Sequence, residues 1–346
     1  MRFNALAAAV LVAGATVAPA SHAQDAKLAE PPGEWAVRVA ISNTAMTAFA
    51  ARQFKTLDAT AEQFRKTAAR TPAGAWSLAQ FYGAWNSYPL YGDVKDPRLQ
   101  TADAWVAASP KSPAAIIVRT IVLEMKAQSN RQLQQASDAA GGAAPVVSDP
   151  GAQFVAAEAF LLKHRAVAAQ DPHFYAVLMQ LQFSRGASEA ELMATIDEGL
   201  ARYPDYFETY VGSIYILADF WKHDKAKIDA YARKLLAATE KRQGHRAYAL
   251  IYWYLGGTIP PMETFQSFDI DWDVMRQGMD EIVSDFPDPV NSNSFGFLAC
   301  LHGDKSLTNK MLKIVGQTVN WDLWGPRFYS QCRSWAIPEP AKDAHL

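Results

Sequence analysis

Residues 171–212, DPHFYAVLMQLQFSRGASEAELMATIDEGLARYPDYFETYVG, decide the fold class. Their apolar positions recur at spacings of three and four, which is typical of helices that bury one face. A turn at residues 185–187 separates the first two runs, and Pro204 separates the second run from the third. Ser188 with Glu191 three positions later forms a capping box, which predicts that the second helix opens at Ser188. The stretch therefore predicts successive helices joined by short turns.

The same helical spacing continues beyond this stretch, and alternating apolar–polar runs long enough for a sheet are absent. We therefore predict an all-α fold. The residues predicted to share a buried helical face are Leu192, Ile196, Gly199, Leu200 and Tyr203; Phe207, Tyr210, Val211, Ile214, Leu217 and Trp221; and Ile228, Tyr231, Ala232, Leu235 and Leu236.

Prolines recur where one predicted helix ends and the next begins. Proline cannot continue the first helix but fits the opening of the second. The interval from Pro172 to Pro204 is 32 residues and holds two helices, whereas that from Pro72 to Pro110 is 38. A fifth junction of this kind lies at Pro287.

These helix pairs resemble the tetratricopeptide repeat, in which two antiparallel helices of about 34 residues stack into a right-handed superhelix. The resemblance is good over residues 172–204 and weaker elsewhere. Residues 154–336, with their aromatic-rich helices, are also similar to a bacterial family of secreted domains of unknown function. Both resemblances imply a tetratricopeptide-like α-solenoid of stacked antiparallel helix pairs, and neither implies catalytic residues.

The helical pattern lapses at residues 128–151, QSNRQLQQASDAAGGAAPVVSDPG, which predict a flexible linker or a long surface loop. This segment separates an N-terminal helical-repeat block at residues 34–127 from a main helical block at residues 152–337. We favour one continuous solenoid, because repeats bury their faces on their neighbours. Residues 338–346, with two prolines in the segment IPEPAKDAHL, predict a disordered tail.

The first 23 residues are typical of a secretory signal peptide. Arg2 supplies the positive start, an uncharged run follows over residues 5–18, and small residues predict cleavage after Ala23. A retained anchor is the alternative. Without a cysteine near this position we expect no lipid anchor, and no later segment has the ~20 uninterrupted apolar residues of a membrane span. The sequence thus predicts export, into a bacterial periplasm.

The composition is that of a well-packed protein, since 50% of the 346 residues are apolar and 20% are charged. The net charge of −2 argues against a nucleic-acid partner bound through overall basic charge. Loss of Arg2 on cleavage leaves 32 basic against 35 acidic residues, a net charge of −3. We expect no nucleic-acid partner.

Two cysteines, Cys300 and Cys332, lie 32 positions apart. In an oxidising compartment such a pair favours a disulfide. Two buried free thiols are the alternative. A metal site would need further ligands, and only His302 is close in sequence.

Residues 245–257, HRAYALIYWYLGG, carry aromatic side chains on every helical face. Such a helix is usually buried between layers, and the alternative is an aromatic floor in the concave binding face. In the second case, alanine at Trp253 and Tyr254 should weaken binding without lowering the melting temperature. The candidate binding face comprises Trp221, Lys222, Arg246, Tyr248, Tyr252, Trp253 and Tyr254.

Charge is unevenly distributed around this helix, with a balance of +5 over residues 221–246 and −7 over residues 263–288. One explanation of this uneven charge is that adjacent solvated faces attract each other. The alternative is a polarised groove that orients a charged partner.

Asp269, Asp271 and Asp273 have the spacing of a calcium loop, but Val274 stands where that loop needs glycine. We expect Asp271 or Asp273 to cap a helix instead.

No motif selects a catalytic residue, because the chain lacks phosphate-loop, haem-attachment, zincin and nucleophile-elbow patterns. The histidines are scattered, and nothing pairs two carboxylates. We therefore expect no enzyme activity, no metal and no cofactor. The sequence favours a non-catalytic protein that binds a protein or peptide on its concave face. The alternatives are a toxin-neutralising periplasmic protein and an accessory or hydrolytic protein of the cell envelope.

Overall fold

Several helices begin at a serine, aspartate or asparagine side chain that accepts from a backbone N–H of the first turn, and several begin with proline, which has no N–H to satisfy. The computed structural model describes residues 33–86, 97–141, 149–256 and 268–337, in which the regular structure is helical. The predicted cleavage site after Ala23 and the predicted tail at residues 338–346 lie outside these ranges. Ser188 accepts from the backbone N–H of Glu191, and the Glu191 carboxylate accepts from that of Ser188, so the predicted capping box is confirmed.

The first nine helices cover the chain to residue 202. They are α1 (Glu34–Ala50), α2 (Phe54–Thr67), α3 (Ser77–Gly83), α4 (Pro97–Ala108), α5 (Pro113–Ala140), α6 (Pro150–Lys163), α7 (Arg165–Ala168), α8 (His173–Ser184) and α9 (Glu189–Arg202). The prediction for residues 128–151 is wrong over its first part, because α5 continues to Ala140 and ends only at Gly141, which adopts a φ of 65°. Residues 142–148 lie outside the described ranges.

The remaining helices follow from residue 207 onward. They are α10 (Phe207–Tyr210), α11 (Ile214–Phe220), α12 (Lys225–Gln243), α13 (Arg246–Leu255), α14 (Trp272–Asp285), α15 (Pro289–His302), α16 (Lys305–Val315), α17 (Trp321–Trp324) and α18 (Pro326–Ala336). The predicted face from Phe207 to Trp221 is interrupted by a turn at residues 211–213. Asp271 caps α14 by accepting from the backbone N–H of Val274 at 3.3 Å, as one of the two predicted caps.

Neighbouring helices pack mainly in sequence order, as α4 on α5, α5 on α6, α8 on α9, α12 on α13, α13 on α14 and α15 on α16. Their buried side chains gather in two large apolar clusters and one smaller C-terminal cluster. The disulfide Cys300–Cys332 joins α15 to α18 across a Cα–Cα distance of 5.9 Å and confirms the predicted pairing. Within the described ranges, no helix is long and apolar enough to cross a bilayer.

The start of the described chain contacts the opening of α15. The backbone N–H of Glu34 donates to Asp288 at 3.3 Å, and the Asn291 side chain donates to the carbonyl of Ala73 at 3.1 Å. The buried Glu34 carboxylate accepts from Thr71 at 2.9 Å. These bonds hold α1 and the loop before α3 against the loop before α15.

Gly74 lies at this junction because no larger residue fits there. Its φ is +88°, and a Cβ on it would come within 2.6 Å of the Phe286 ring. Both the conformation and the close approach favour glycine. The junction forms one wall of a cavity, which Gly74 and Phe286 help to line.

Candidate functional site

A cavity of about 340 Å³ lies between the N-terminal junction and helices α12 to α14. Its walls bring together four arginines with a set of aromatic rings, and we call it the arginine cavity. The residues that define it are Arg38, Arg70, Arg242 and Arg246 with Trp76, Phe207, Leu250, Trp253, Tyr254, Phe286, Asp205 and Asp285.

Arg70 is held against two aromatic rings in this cavity. Its guanidinium carbon lies 3.7 Å from the centroid of the Trp76 ring and 5.1 Å from that of Phe207. Its two terminal nitrogens donate to the carbonyls of Gly74 at 3.3 Å and Asp205 at 3.2 Å. Burial lowers the pKa of Arg70 to about 10, so the side chain stays charged at neutral pH.

The other three arginines have acidic partners at the cavity wall. Arg242 donates through Nε to Asp205 at 3.0 Å, and Arg246 pairs with Asp285 at 2.6 Å. Arg38 pairs with the buried Glu34. Within the described residues, Arg70 alone among the four has no carboxylate at ion-pair distance.

Glu208 lies near the cavity without lining it. Burial raises the pKa of Glu208 to about 6, although the nearby Arg38 and Arg70 favour its charged form. The local charge therefore becomes more positive as the pH falls through about 6.

A second, more open cavity of about 510 Å³ adjoins the first. It shares Arg38, Trp253 and Tyr254 with the arginine cavity, and we call it the outer cleft. Its other defining residues are Trp35, Tyr215, Tyr252, Val290, Ser294, Phe297, Leu298, Asn320 and Leu323.

Aromatic side chains around the outer cleft are unusually exposed. Trp35 is 65% exposed and Tyr215 is 43% exposed. Trp321, which is 55% exposed, lies between the cleft residues Asn320 and Leu323 in sequence. The Arg38 guanidinium lies 5.4 Å from the Trp35 ring and connects this surface to the arginine cavity.

The structure separates the seven residues of the predicted binding face. Arg246, Trp253 and Tyr254 line the arginine cavity, and Tyr252 lines the outer cleft but is only 2% exposed. Tyr248 is fully buried, and its hydroxyl accepts from the backbone N–H of Asp271 at 2.9 Å. Helix α13 therefore serves as core on one side and as a cavity wall on the other.

Trp221 and Lys222 line neither cavity. Trp221 is 8% exposed, donates to Glu189 at 2.8 Å and packs on Tyr231. Lys222 is exposed beside it in a turn with a φ of 51°. Trp221 therefore belongs to the packing between α11 and α12, and Lys222 lies in the exposed turn that joins these helices.

The basic and acidic segments around α13 contact each other directly. Arg246 pairs with Asp285, and the imidazole of His245 lies 3.1 Å from Glu281. Arg233 lies 3.8 Å from Asp271. These pairs agree with the interpretation of adjacent faces that attract each other. Within the described ranges, no group of three or more His, Cys, Asp or Glu side chains is placed to hold a metal ion.

A buried polar cluster joins α3 to α8 away from both cavities. The Asp171 carboxylate accepts from the Tyr82 hydroxyl at 2.8 Å and from the backbone N–H of His173 at 2.9 Å. The His173 ring stacks on Tyr82 and lies 2.7 Å from the Tyr206 hydroxyl. Burial lowers the pKa of His173 to about 3, so the imidazole is neutral. This cluster connects buried layers and is not a cleft for substrate.

Most residues of the arginine cavity were not predicted from the sequence, among them Arg38, Arg70, Trp76 and Arg242. The first three lie at least 129 positions from the Asp205–Leu250 region that they face, and no local pattern distinguishes them from other residues of their type. Comparisons with protein-family models, with curated proteins and with solved structures gave no match to this chain. Its function is therefore inferred from the two cavities.

Proposed function

We propose that this chain is an exported, non-catalytic helical-repeat protein of tetratricopeptide-like architecture that binds a protein or peptide partner at the outer cleft. The observation that carries the proposal is the cluster of exposed aromatic side chains around that cleft, with Arg38 at its inner edge. Tryptophan, tyrosine and arginine are the residues that most often anchor protein interfaces.

Trp35 is the expected anchor. It is the most exposed of these rings, lies on α1 beside the cleft and contacts Arg38. When a partner covers a large ring that is exposed to water, the burial of apolar surface lowers the free energy of the complex. The neighbouring polar groups of Ser294 and Asn320 supply hydrogen bonds that orient the partner. The cleft thus combines an apolar centre with a polar edge.

Two observations support export. A disulfide persists in oxidising compartments, and the sequence begins with the pattern of a signal peptide.

The test uses co-purification of the full chain, expressed with its own N-terminus and crosslinked in the envelope of its native cell. Trp35→Ala is compared with Trp335→Ala, which truncates a ring that is 40% exposed on α18 and lies outside both cavities. We expect one recurrent partner with the wild type and Trp335→Ala, and its loss with Trp35→Ala. Equal recovery with both variants, or no enriched protein from folded and exported material, contradicts the proposal.

The identity of the partner then decides its biological role. A secreted toxin recovered at unit stoichiometry places the protein among toxin-neutralising proteins. A cell-wall enzyme or its substrate places it in envelope maintenance. Either result retains the outer cleft as the binding surface.

A further inference from the structure

The arginine cavity has the size and lining of a site for a small molecule. Its volume of about 340 Å³ lies within the range of ligand-binding pockets. Trp76, Phe207 and Trp253 provide apolar surface, and the phenol of Tyr254 adds a polar group. Such a lining accommodates a flat apolar body, since aromatic rings pack favourably on one another.

The cavity is also arranged for an anion. Four arginines and two aspartates line the cavity, whereas Glu34, which pairs with Arg38, and Glu208, which lies near Arg38 and Arg70, do not line it. The formal excess of two positive charges therefore belongs to the lining alone. Arg70 uses two of the five N–H groups that an arginine carries, both on backbone carbonyls, so three remain for an external acceptor. Arg246 contacts Asp285, and its Nε is buried without an acceptor in the structure.

Arg70 is positioned before any ligand arrives. The ring of Trp76 supports the face of the guanidinium, and the Trp76 indole itself donates to the carbonyl of Asp205 at 3.0 Å. The same carbonyl accepts from Arg70 at 3.2 Å. A charged donor that is already oriented and largely desolvated binds a carboxylate more strongly than a flexible surface arginine does.

From these observations we infer that the arginine cavity binds a small organic acid that has a flat aromatic body and one carboxylate. The carboxylate contacts Arg70, and the ring packs against Leu250 and Trp253 in the cavity lining. This inference does not depend on the proposed partner, although the two sites share Arg38, Trp253 and Tyr254 as a wall.

The probes for the test are 2-naphthoate and its uncharged analogue 2-naphthamide, titrated into the full chain by isothermal calorimetry. The two molecules have nearly the same shape and differ in charge. We expect the acid to bind about tenfold more tightly than the amide, because only the acid brings a negatively charged acceptor to the guanidinium. The indole N–H resonance of Trp76 should shift with the acid in nuclear magnetic resonance spectra.

Arg70→Gln should weaken binding of the acid about tenfold and leave binding of the amide unchanged. The matched control is Arg119→Gln, since Arg119 also stacks on a ring, at 3.9 Å from Phe160, but lies outside the cavity. Arg242→Gln gives a second measurement if Arg70→Gln fails to fold, because the Arg242 side chain is 56% exposed. It should also weaken binding of the acid.

Three results overturn the inference: equal affinity for the acid and the amide, no binding of either at millimolar concentration, or the same loss with Arg119→Gln as with Arg70→Gln. None of them bears on the partner test at Trp35. If the chain binds its partner but binds neither probe, the proposal for the outer cleft stands and the inference of a ligand site in the arginine cavity fails.

Discussion

Removal of the Cys300–Cys332 disulfide should destabilise the protein by an amount that follows from chain entropy. The two residues are 32 positions apart, and a closed loop of that length restricts the unfolded chain by about 3.7 kcal/mol at 25 °C. An unfolding entropy of about 2.1 cal/mol/K per residue over residues 33–346 amounts to ~0.66 kcal/mol/K. The expected fall in melting temperature is therefore about 5–6 °C.

The assay is thermal unfolding of the double variant Cys300→Ala/Cys332→Ala beside the oxidised wild type, followed by far-ultraviolet circular dichroism. Reductant added to the double variant is the control and should change nothing. Alanine suits both positions, because Cys332 is 2% exposed and a polar replacement would add its own cost. A fall below 1 °C, with the native helix content retained, would show that the crosslink does not restrict the unfolded chain, contrary to this expectation.

Three further substitutions test other parts of the structure. Asp171→Ala leaves the buried Tyr82 hydroxyl without its acceptor and should lower the free energy of unfolding by about 3 kcal/mol, and an unchanged urea midpoint would contradict this. Gly74→Ala should cost about 1–3 kcal/mol, because its φ is +88° and its Cβ would meet Phe286, and a melting temperature equal to the wild type would disprove this. The folded-state pKa of Glu208, about 6, lies above its ordinary value of 4.5, so its contribution to stability is present at low pH and is lost as the pH rises through 6. Glu208→Gln should therefore stabilise the protein relative to wild type at pH 7.5 but not at pH 4, and a difference independent of pH would contradict the assignment.

Local features of the fold were predictable from the sequence. The capping box at Ser188, the cap at Asp271 and the disulfide were each confirmed. These depend on residues a few positions apart, or on the two cysteines of the chain. The linker prediction failed over residues 128–140, because its small and polar residues are compatible with helix and extend α5 until Gly141 ends it.

The candidate site was predictable only in part. Trp253, Tyr254 and Arg246 stand out in an aromatic segment with basic residues beside it, and they do line a cavity. Arg38 and Arg70 lack such a local pattern, since their place in the site depends on contacts across more than a hundred residues.

The structure also changes the choice of residue for testing the binding face. Trp253 packs on Phe295 with ring centroids 5.1 Å apart, so alanine at this position is expected to lower stability as well as binding. Trp35, which is 65% exposed, separates the two effects.

The most direct test of partner binding places a photoreactive p-benzoylphenylalanine at position 35 in one variant and at position 335 in another. Each full chain is irradiated in its native cell envelope, and crosslinked products are separated by mass. We expect one discrete product of the chain with a partner from position 35 and none from position 335. No product from position 35, or the same product from both positions, would contradict the assignment of the outer cleft as the binding surface.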